Sequence, residues 1–365
     1  MSIQSTHRPG RSHPALSRRA LLAGTAAGAV GLSLAACGKG KKAGSQADSK
    51  TVTVVTHDSF HVSENLQKAF TSETGYTLKI ATSGDAGALV NKLVLTKDAP
   101  LGDAVFGIDN TYATRALDQG VIDTSATVTL PKGAESYVVA DTPALAPIDV
   151  GDVCLNIDTG YFTGKGLTPP ATFEDLTKPE YKGLLVAINP TNSSPGMAWL
   201  LATIGHFGAG SFADYWKQLM ANGARIAEDW SAAYETDFSG SGKGTYPIVV
   251  SYASSPSFTV SKDKSSSTTS ALLDTAFRQV EYAGVLKGAA NPEGGKAFVE
   301  WMLSKAVQED IPGQMYMYPV LPDAALPEAL TKFGPLSKSP VKVDPKEITT
   351  HREEWLNTWT EAVGK

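Results

Sequence analysis

The sequence predicts an α/β protein built on an open, mostly parallel sheet with helices on both faces. Between residues 51 and 109, β-branched runs alternate with amphipathic runs in the order β-α-β-α-β. Residues 51–365 also exceed the size at which one hydrophobic core usually stops growing. We therefore expect the chain to form two lobes.

The first five elements follow from local patterns. "TVTVVT" and "TLKIAT" predict strands, and between them Leu66 and Phe70 lie four residues apart on one helical face that Gly75 ends. "GALVNKLVLTK" predicts a second amphipathic helix, and "DAVFGID" predicts the third strand.

The later elements carry clearer start signals. "DVCLNID" and "GLLVAINP" predict strands, and between them Thr172, with Asp175 three residues on, predicts a helix N-terminus. The run "SSPGMAWLLATIGHFG" predicts a helix with Ser194 as its cap and Pro195 in its first turn.

The last third predicts two strands and two helices. "YPIVVSY" and "FRQVEYAGVL" predict the strands, while Asn291 with Pro292 and Asp344 with Pro345 predict the helix starts. The final helix carries an apolar stripe that we assign to packing, formed by Ile348, Trp355, Leu356, Trp359 and Val363.

Residues 1–36 have the features of an export signal. A basic start is followed by an apolar, Ala- and Gly-rich run at residues 20–36, which is marginal in length for a membrane span. "SRRALL" is similar to a twin-arginine signal, and "LAAC" resembles a bacterial lipobox ending at Cys37. We expect lipid on Cys37, a flexible tether at 37–50, and a location in the periplasm or on the outer face of the membrane.

Charge and cysteine content exclude several classes of protein. Residues 1–36 carry four arginines and no acid, so the rest is four charges more negative than the −5 of the whole chain. This argues against nucleic acid as a partner. With Cys37 lipidated, Cys154 has no disulfide partner, and its apolar run predicts a buried thiol.

Enzyme signatures are absent from the sequence. It has no GxSxG, HExxH or GxxxxGK[ST] motif, and "GSGKGTY" at 240–246 lacks a preceding strand. We therefore expect no enzyme activity and no cofactor, and favour a capture protein over an extracytoplasmic hydrolase.

Polar loops follow the predicted strands. In open α/β sheets, ligands bind beyond the carboxyl ends of strands. The loops in this position are 56–60, 107–112, 189–196 and 251–258. Two lobes with these loops facing a cleft would enclose a small molecule.

Short motifs in a fixed order identify a family resemblance. "DSF" (58–60), "GIDN" (107–110), "SSPG" (193–196), "WSAAY" (230–234), "SYASSP" (251–256), "MYPV" (317–320) and "REEWLNTWTEAV" (352–363) occur in this order. In this the chain resembles the thiamine-binding proteins of ABC transporters, among the type II periplasmic solute-binding proteins.

The resemblance implies a two-lobed type II binding-protein fold with hinge strands between the lobes. Residues 51–147 and 268–312 would form one lobe, and residues 148–267 and 313–365 the other. It also implies a monomer that binds thiamine or its phosphates and delivers the ligand to an ABC permease.

The resemblance further implies a set of ligand contacts. Trp230 and Tyr252 would contact the thiamine rings, and Asp109 would supply the acid. Ser193 and Ser194, at a helix start with free N–H groups, would face a phosphate. The remaining candidates are Asp58, His57 and Phe258. Of these, His57 and Phe258 occupy positions where the family pattern suggests Tyr.

Two other ligands of the same fold remain open. A ferric-ion site would use Tyr316 and Tyr318, whose rings point the same way if the backbone is extended. A polyamine would also suit acids and aromatic rings.

Overall fold

The computed structural model describes residues 50–364. The predicted signal peptide, Cys37 and residues 37–49 of the tether lie outside the described residues. Within the described part, no helix has the length and apolarity that crossing a membrane needs.

Nine strands form one mixed sheet in the described residues, in the order β2-β1-β3-β8-β4-β7-β5-β6, with β9 paired to β4. The strands are β1 Thr51–Thr56, β2 Thr77–Thr82, β3 Ala104–Asp109, β4 Ala146–Asp158, β5 Leu185–Ile188, β6 Arg225–Ala227, β7 Ile248–Tyr252, β8 Thr269–Val285 and β9 Tyr318–Pro319.

Parallel pairing is confined to the two ends of this sheet. Strands β2, β1 and β3 are parallel at one end, and β7, β5 and β6 at the other. The long strands β4 and β8 run antiparallel between them and join the ends. The α/β class is as predicted. The centre of the sheet is antiparallel because β4 and β8 run in opposite directions between its two parallel ends.

The helices flank the sheet. They are α1 Glu64–Thr74, α2 Ala86–Leu95, α3 Ala113–Asp118, α4 Thr159–Lys165, α5 Ser194–Phe207, α6 Phe212–Ala221, α7 Pro292–Met302, α8 Lys305–Gln314, α9 Glu328–Phe333 and α10 Pro345–Val363. The described residues belong to one compact unit, and the boundaries of the two lobes stay a prediction.

Helix starts and stops follow the predicted signals at most positions. Gly75 ends α1 with a φ of 76°, and the Asn291 and Asp344 side chains cap α7 and α10. The predicted cap of α5 is wrong by one residue, because Ser193 rather than Ser194 accepts the capping hydrogen bond.

The capping pair at Thr172 starts a shorter element than predicted. The Thr172 N–H donates to Asp175 at 3.1 Å, and a 3-10 turn follows over Glu174–Thr177. The capping signal here therefore starts a single 3-10 turn rather than an α-helix.

The apolar stripe of α10 packs as predicted. Ile348, Trp355, Leu356, Trp359 and Val363 are all buried. Trp359 meets Trp216 of α6 edge to face, with ring centroids 5.6 Å apart. Cys154 is buried in β4, and this burial raises the pKa of its thiol. It is therefore an unreactive packing residue, as expected.

Candidate functional site

A cavity of about 480 Å³ opens where the loops after β1, β2, β6, β7 and α8 meet the starts of α2 and α5. Its position beyond strand ends agrees with the position expected for ligand sites in α/β sheets. The residues that border it are His57, Asp58, Ser59, Asp85, Ala86, Ser194, Pro195, Asp229, Trp230, Ser231, Glu235, Tyr252, Ser254, Ser255, Glu281, Gln314, Met315, Tyr316 and Met317.

Trp230 forms a fixed aromatic wall of the cavity. Its ring stacks on that of Tyr234, with centroids 5.1 Å apart and planes 11° from parallel. Its indole N–H donates to the Ser251 hydroxyl at 3.0 Å. The ring is half-buried and its orientation is set by two contacts, so a flat surface is presented at the cavity.

The stacked pair follows from the local backbone. Residues Ala232–Asp237 form a π-helical turn, and the Asp229 carboxylate accepts the N–H of Ala232 at 2.7 Å. Tyr234 is buried, so it serves as a packing residue beneath Trp230. Asp229 thus has a structural bond as well as a place on the cavity wall.

Tyr252 is the second predicted ring in the cavity wall. It ends β7, and its hydroxyl donates to Gln279 of β8 at 3.2 Å. Burial raises the pKa of the phenol well above its ordinary value. The ring is therefore a neutral, anchored surface.

Carboxylates dominate the charged groups around the cavity. Those that border it are Asp58, Asp85, Asp229, Glu235 and Glu281. No Lys or Arg among the described residues borders it, and His57 is the one basic side chain in that set. The cavity is therefore an anionic environment that favours a cation.

His57 is held between two groups at the end of β1. Its Nδ1 accepts the Ser59 N–H at 3.1 Å, and its Nε2 lies 3.2 Å from Glu281 Oε1. Burial lowers the pKa of His57, but Glu281, Asp85 and Asp58 oppose this, and the net direction is upward.

Glu281 also faces a second buried acid. It lies opposite Asp149 in the pairing of β4 with β8, and both side chains are buried. Burial, and next the neighbouring Glu281, raise the pKa of Asp149 well above its ordinary value. The pair lies on the two strands that join the ends of the sheet, beside the cavity.

Asp85 links two helix starts. It caps α2 by accepting the Ala86 N–H at 2.6 Å, and it accepts the Ser194 N–H of α5 at 3.1 Å. Burial raises the pKa of Asp85, and the bonds from Ser193, Ser194 and Ala86 lower it, with a net upward shift.

Asp109 does not border the cavity. Its side chain is buried and accepts the N–H and hydroxyl of Thr111, at 2.9 and 2.7 Å, and contacts the Ser194 hydroxyl. Burial raises the pKa of Asp109 to about 7. The acid chosen from the sequence is thus satisfied by its own loop and by α5.

The two serines at the start of α5 also differ from expectation. Ser193 is buried as the helix cap and does not border the cavity, whereas Ser194 does. The first-turn amides are not free: Ser194 N–H bonds to Asp85, and Gly196 N–H to the Ser193 hydroxyl at 3.4 Å. The expectation of outward-pointing N–H groups is wrong for this structure.

Of the predicted contacts Asp58 and Phe258, only the first borders the cavity. Asp58 borders the cavity and accepts the Gly84 N–H at 2.9 Å. Phe258 does not border it but packs against Tyr316, which does. Phe258 therefore supports a wall residue rather than forming the wall.

The two tyrosines considered for ferric ion do not act together. Tyr316 borders the cavity, and its φ of 65° breaks the extended backbone. The Tyr318 hydroxyl instead donates to the Gly334 carbonyl at 2.9 Å, and burial raises the pKa of that phenol to about 12. The extended backbone that would point both rings the same way is therefore not present at Tyr316. Residues 50–364 contain no cluster of three or more His, Cys, Asp or Glu arranged to hold a metal.

Sequence reasoning missed Asp85 and Glu281 as cavity residues, and it considered Tyr316 only for a ferric-ion site. Asp85 had a detectable signal, because it precedes the helix "AGALVNKLVL" where a cap belongs. Glu281 lies inside the predicted strand "FRQVEYAGVL", where an acid among apolar residues was the available clue.

Comparison with known proteins gives a family match over most of the chain. The sequence pattern of the bacterial extracellular solute-binding proteins matches residues 103–334. A thiamine-binding periplasmic protein of Salmonella typhimurium is 27% identical over 326 residues, which cover 86% of this chain and 94% of that protein. The thiamine-binding periplasmic protein of Escherichia coli is 27% identical over 324 residues, with the same coverage.

Solved structures show the same architecture. A periplasmic thiamin binding protein superposes with a TM-score of 0.75 at 25% identity, covering 86% of this chain and 96% of that one. Iron-bound HitA from Pseudomonas aeruginosa superposes with a TM-score of 0.66 at 20% identity, covering 86% and 99%. The second likeness supports the type II binding-protein fold alone.

Proposed function

Because this chain belongs to the bacterial extracellular solute-binding proteins, we propose that it captures thiamine in the cavity beside Trp230 and delivers it to an ABC permease. The observation that carries this proposal is one cavity that combines an anchored indole with carboxylates. Similarity to proteins named for thiamine binding supports the same ligand.

The aromatic rings suit the two rings of thiamine. Its thiazolium is a permanent cation, and a desolvated cation over an aromatic face gains about 2 kcal/mol. Trp230 offers the best face for this contact, and its stacking on Tyr234 keeps it in place. Tyr252 supplies a second flat, neutral surface for the aminopyrimidine.

The carboxylates supply the charge that Asp109 was expected to provide. At 4 Å and an effective dielectric constant of 20, opposite charges attract by about 4 kcal/mol before desolvation is subtracted. Asp58, Asp85 and Glu281 are placed to act on a ligand in the cavity. A carboxylate can also accept a hydrogen bond from the pyrimidine amine.

The volume of the cavity is also suitable. At about 480 Å³ it lies within the roughly 300–1,000 Å³ range of sites for small ligands. The volume of the cavity is therefore compatible with a small ligand such as thiamine.

Export and tethering complete the proposal. The signal at residues 1–36 and the lipid on Cys37 would hold the protein outside the cytoplasm, near a permease. Mass analysis of the mature N-terminus tests this step. A mature chain that begins at an acylated Cys37 supports it, and an unmodified Cys37 contradicts it.

Polyamine capture is the second candidate, because the acidic lining would also attract a flexible polycation. Native mass spectrometry of freshly purified protein should reveal a co-purifying ligand. A thermal-shift and calorimetric series with thiamine, putrescine and ferric ion then separates the candidates. Thiamine at 100 times its Kd should add about 2.7 kcal/mol to stability. Binding of putrescine or ferric ion without binding of thiamine would overturn the proposal.

A further inference from the structure

We propose that a latch outside the cavity joins the two ends of the sheet and determines how long the ligand is retained. The residues of this latch are Gly87, Ala88 and Tyr112 on one side and Pro190, Asn192 and Arg352 on the other. Its effect on retention rests on the proposed function, whereas its effect on the conformation of the protein does not.

Tyr112 is the central contact of the latch. It precedes α3, beyond strand β3 at one end of the sheet, and its side chain is fully buried. Its hydroxyl donates at 3.1 Å to the carbonyl of Pro190, in the loop after β5 at the other end. Burial raises the pKa of this phenol to about 12, so at neutral pH it keeps its proton and remains a donor.

Arg352 covers the ring of Tyr112 from α10. Its guanidinium carbon lies 4.3 Å from the ring centroid, within the distance of a cation–π contact. Helix α10 in turn packs on α6, which lies between β5 and β6 in the chain. Tyr112 is therefore enclosed by two elements that belong to the opposite end of the sheet.

A backbone contact lies directly beside this ring. The Ala88 N–H, in the first turn of α2, donates to the Asn192 carbonyl at 3.1 Å. The two backbones can approach this closely because residue 87 is glycine. A Cβ at Gly87 would lie 2.6 Å from both the Asn192 carbonyl oxygen and the Tyr112 hydroxyl. Contact between the two ends therefore depends on glycine at this position.

The latch lies next to the cavity but is not part of its lining. None of the latch residues borders the cavity, whereas Ala86 and Ser194, close to Gly87 and Asn192 in the chain, do border it. Separation of α2 from the loop after β5 would therefore move two walls of the cavity apart. An intact latch keeps these walls together around a ligand.

The latch is also able to open. Arg352 is buried, and its Nε has no hydrogen-bond partner within residues 50–364. A buried guanidinium with an unused donor is costly, and water would reach it once Tyr112 moved away. Part of the free energy lost on opening is thereby recovered, which suits a protein that has to release its ligand.

Gly87→Ala tests the latch without changing a residue that borders the cavity. The added methyl group does not fit while Tyr112 and Asn192 keep their positions, so the two ends should separate. Small-angle X-ray scattering of the ligand-free variant should give a larger radius of gyration than that of the unaltered protein. Stopped-flow fluorescence should show thiamine dissociating at least about fivefold faster.

The matched control is Gly164→Ala. Gly164 is exposed on α4, and an added Cβ there would meet no atom within 4 Å. Both substitutions place alanine in a helix, where it is favoured over glycine, so a difference between the variants reports the contacts around Gly87. The control should match the unaltered protein in both measurements.

Tyr112→Phe is a milder change that keeps a ring under Arg352 and removes the hydrogen bond to Pro190. It should raise the dissociation rate about threefold. In the double variant with Gly87→Ala the two effects should not multiply, because both changes break the same contact. A defect of packing alone would lower the melting temperature and leave the dissociation rate unchanged.

Two results would overturn the proposal. One is an equal radius of gyration for ligand-free Gly87→Ala and the unaltered protein. The other is a dissociation rate that neither Gly87→Ala nor Tyr112→Phe changes. If the unaltered protein does not bind thiamine, the proposed function is rejected, and scattering, which needs no ligand, still decides whether the latch exists.

Discussion

The indole of Trp230 and the phenol of Tyr234 lie 5.1 Å apart between centroids, with their planes 11° from parallel. One face of the indole is thus covered by protein, and the ring still borders the cavity. Such an anchored ring loses little side-chain entropy when a ligand binds.

We expect Trp230→Ala to weaken thiamine binding about 30-fold, because it removes a cation–π contact worth about 2 kcal/mol. Titration calorimetry measures the loss, and circular dichroism checks that the variant folds. Trp230→Phe keeps an aromatic face and should bind more tightly than the Ala variant. Unchanged affinity in Trp230→Ala would remove this residue from the site.

Gly107→Ala should weaken binding and reduce stability. Gly107 has a φ of 98°, and an added Cβ would lie 2.1 Å from Cδ2 of His57. His57 would have to leave its position beside Glu281, and the backbone strain adds about 1–2 kcal/mol. Thermal unfolding and calorimetry with thiamine measure the two effects.

Gly166→Ala is the control for this substitution. Gly166 also has a positive φ, of 62°, but an added Cβ there would meet no atom within 4 Å. It should lose stability through backbone strain and keep its affinity for thiamine. If both variants bind thiamine normally, His57 does not shape the site.

Asp109→Asn should stabilise the protein at neutral pH. Burial raises the pKa of Asp109 from 3.8 to about 7, so between these values the folded state holds a proton that the unfolded state has lost. Stability therefore falls as pH rises through this window and is level above it. Asn keeps an oxygen for the Thr111 bonds and does not titrate.

Thermal unfolding of both proteins from pH 4 to pH 8 tests this. The advantage of the variant should grow up to about pH 7, to about 4 kcal/mol, since the pKa rises from 3.8 to about 7 and one pKa unit corresponds to about 1.4 kcal/mol. Parallel curves would show that Asp109 is ionised in the folded protein across this range.

Arg278→Ala should destabilise the fold by about 3 kcal/mol, because it leaves Asp152 buried without its partner. The two residues face each other across β4 and β8, and Asp152 is fully buried. Urea unfolding measures the change in the free energy of unfolding. Lys217→Ala breaks the exposed pair with Asp214 and should change it by less than about 1 kcal/mol. Equal effects of the two variants would contradict the argument.

Local signals in the sequence determined much of the fold. The apolar stripe of α10, the caps at Asn291 and Asp344, and the stop at Gly75 depend on residues within a turn or two of each other. Such short-range effects can be read from spacing alone. Trp230, in contrast, was selected through the family resemblance rather than by spacing, and it borders the cavity.

The tertiary structure decided which acids serve the cavity. Asp109, the last residue of β3, is buried and bonded to Thr111 and Ser194, while Asp85 and Glu281 border the cavity from a helix cap and a crossing strand. Their positions depend on β4 and β8 joining the two ends of the sheet. Contacts between residues far apart in the chain leave no periodic signal, so packing rather than local pattern selected these side chains.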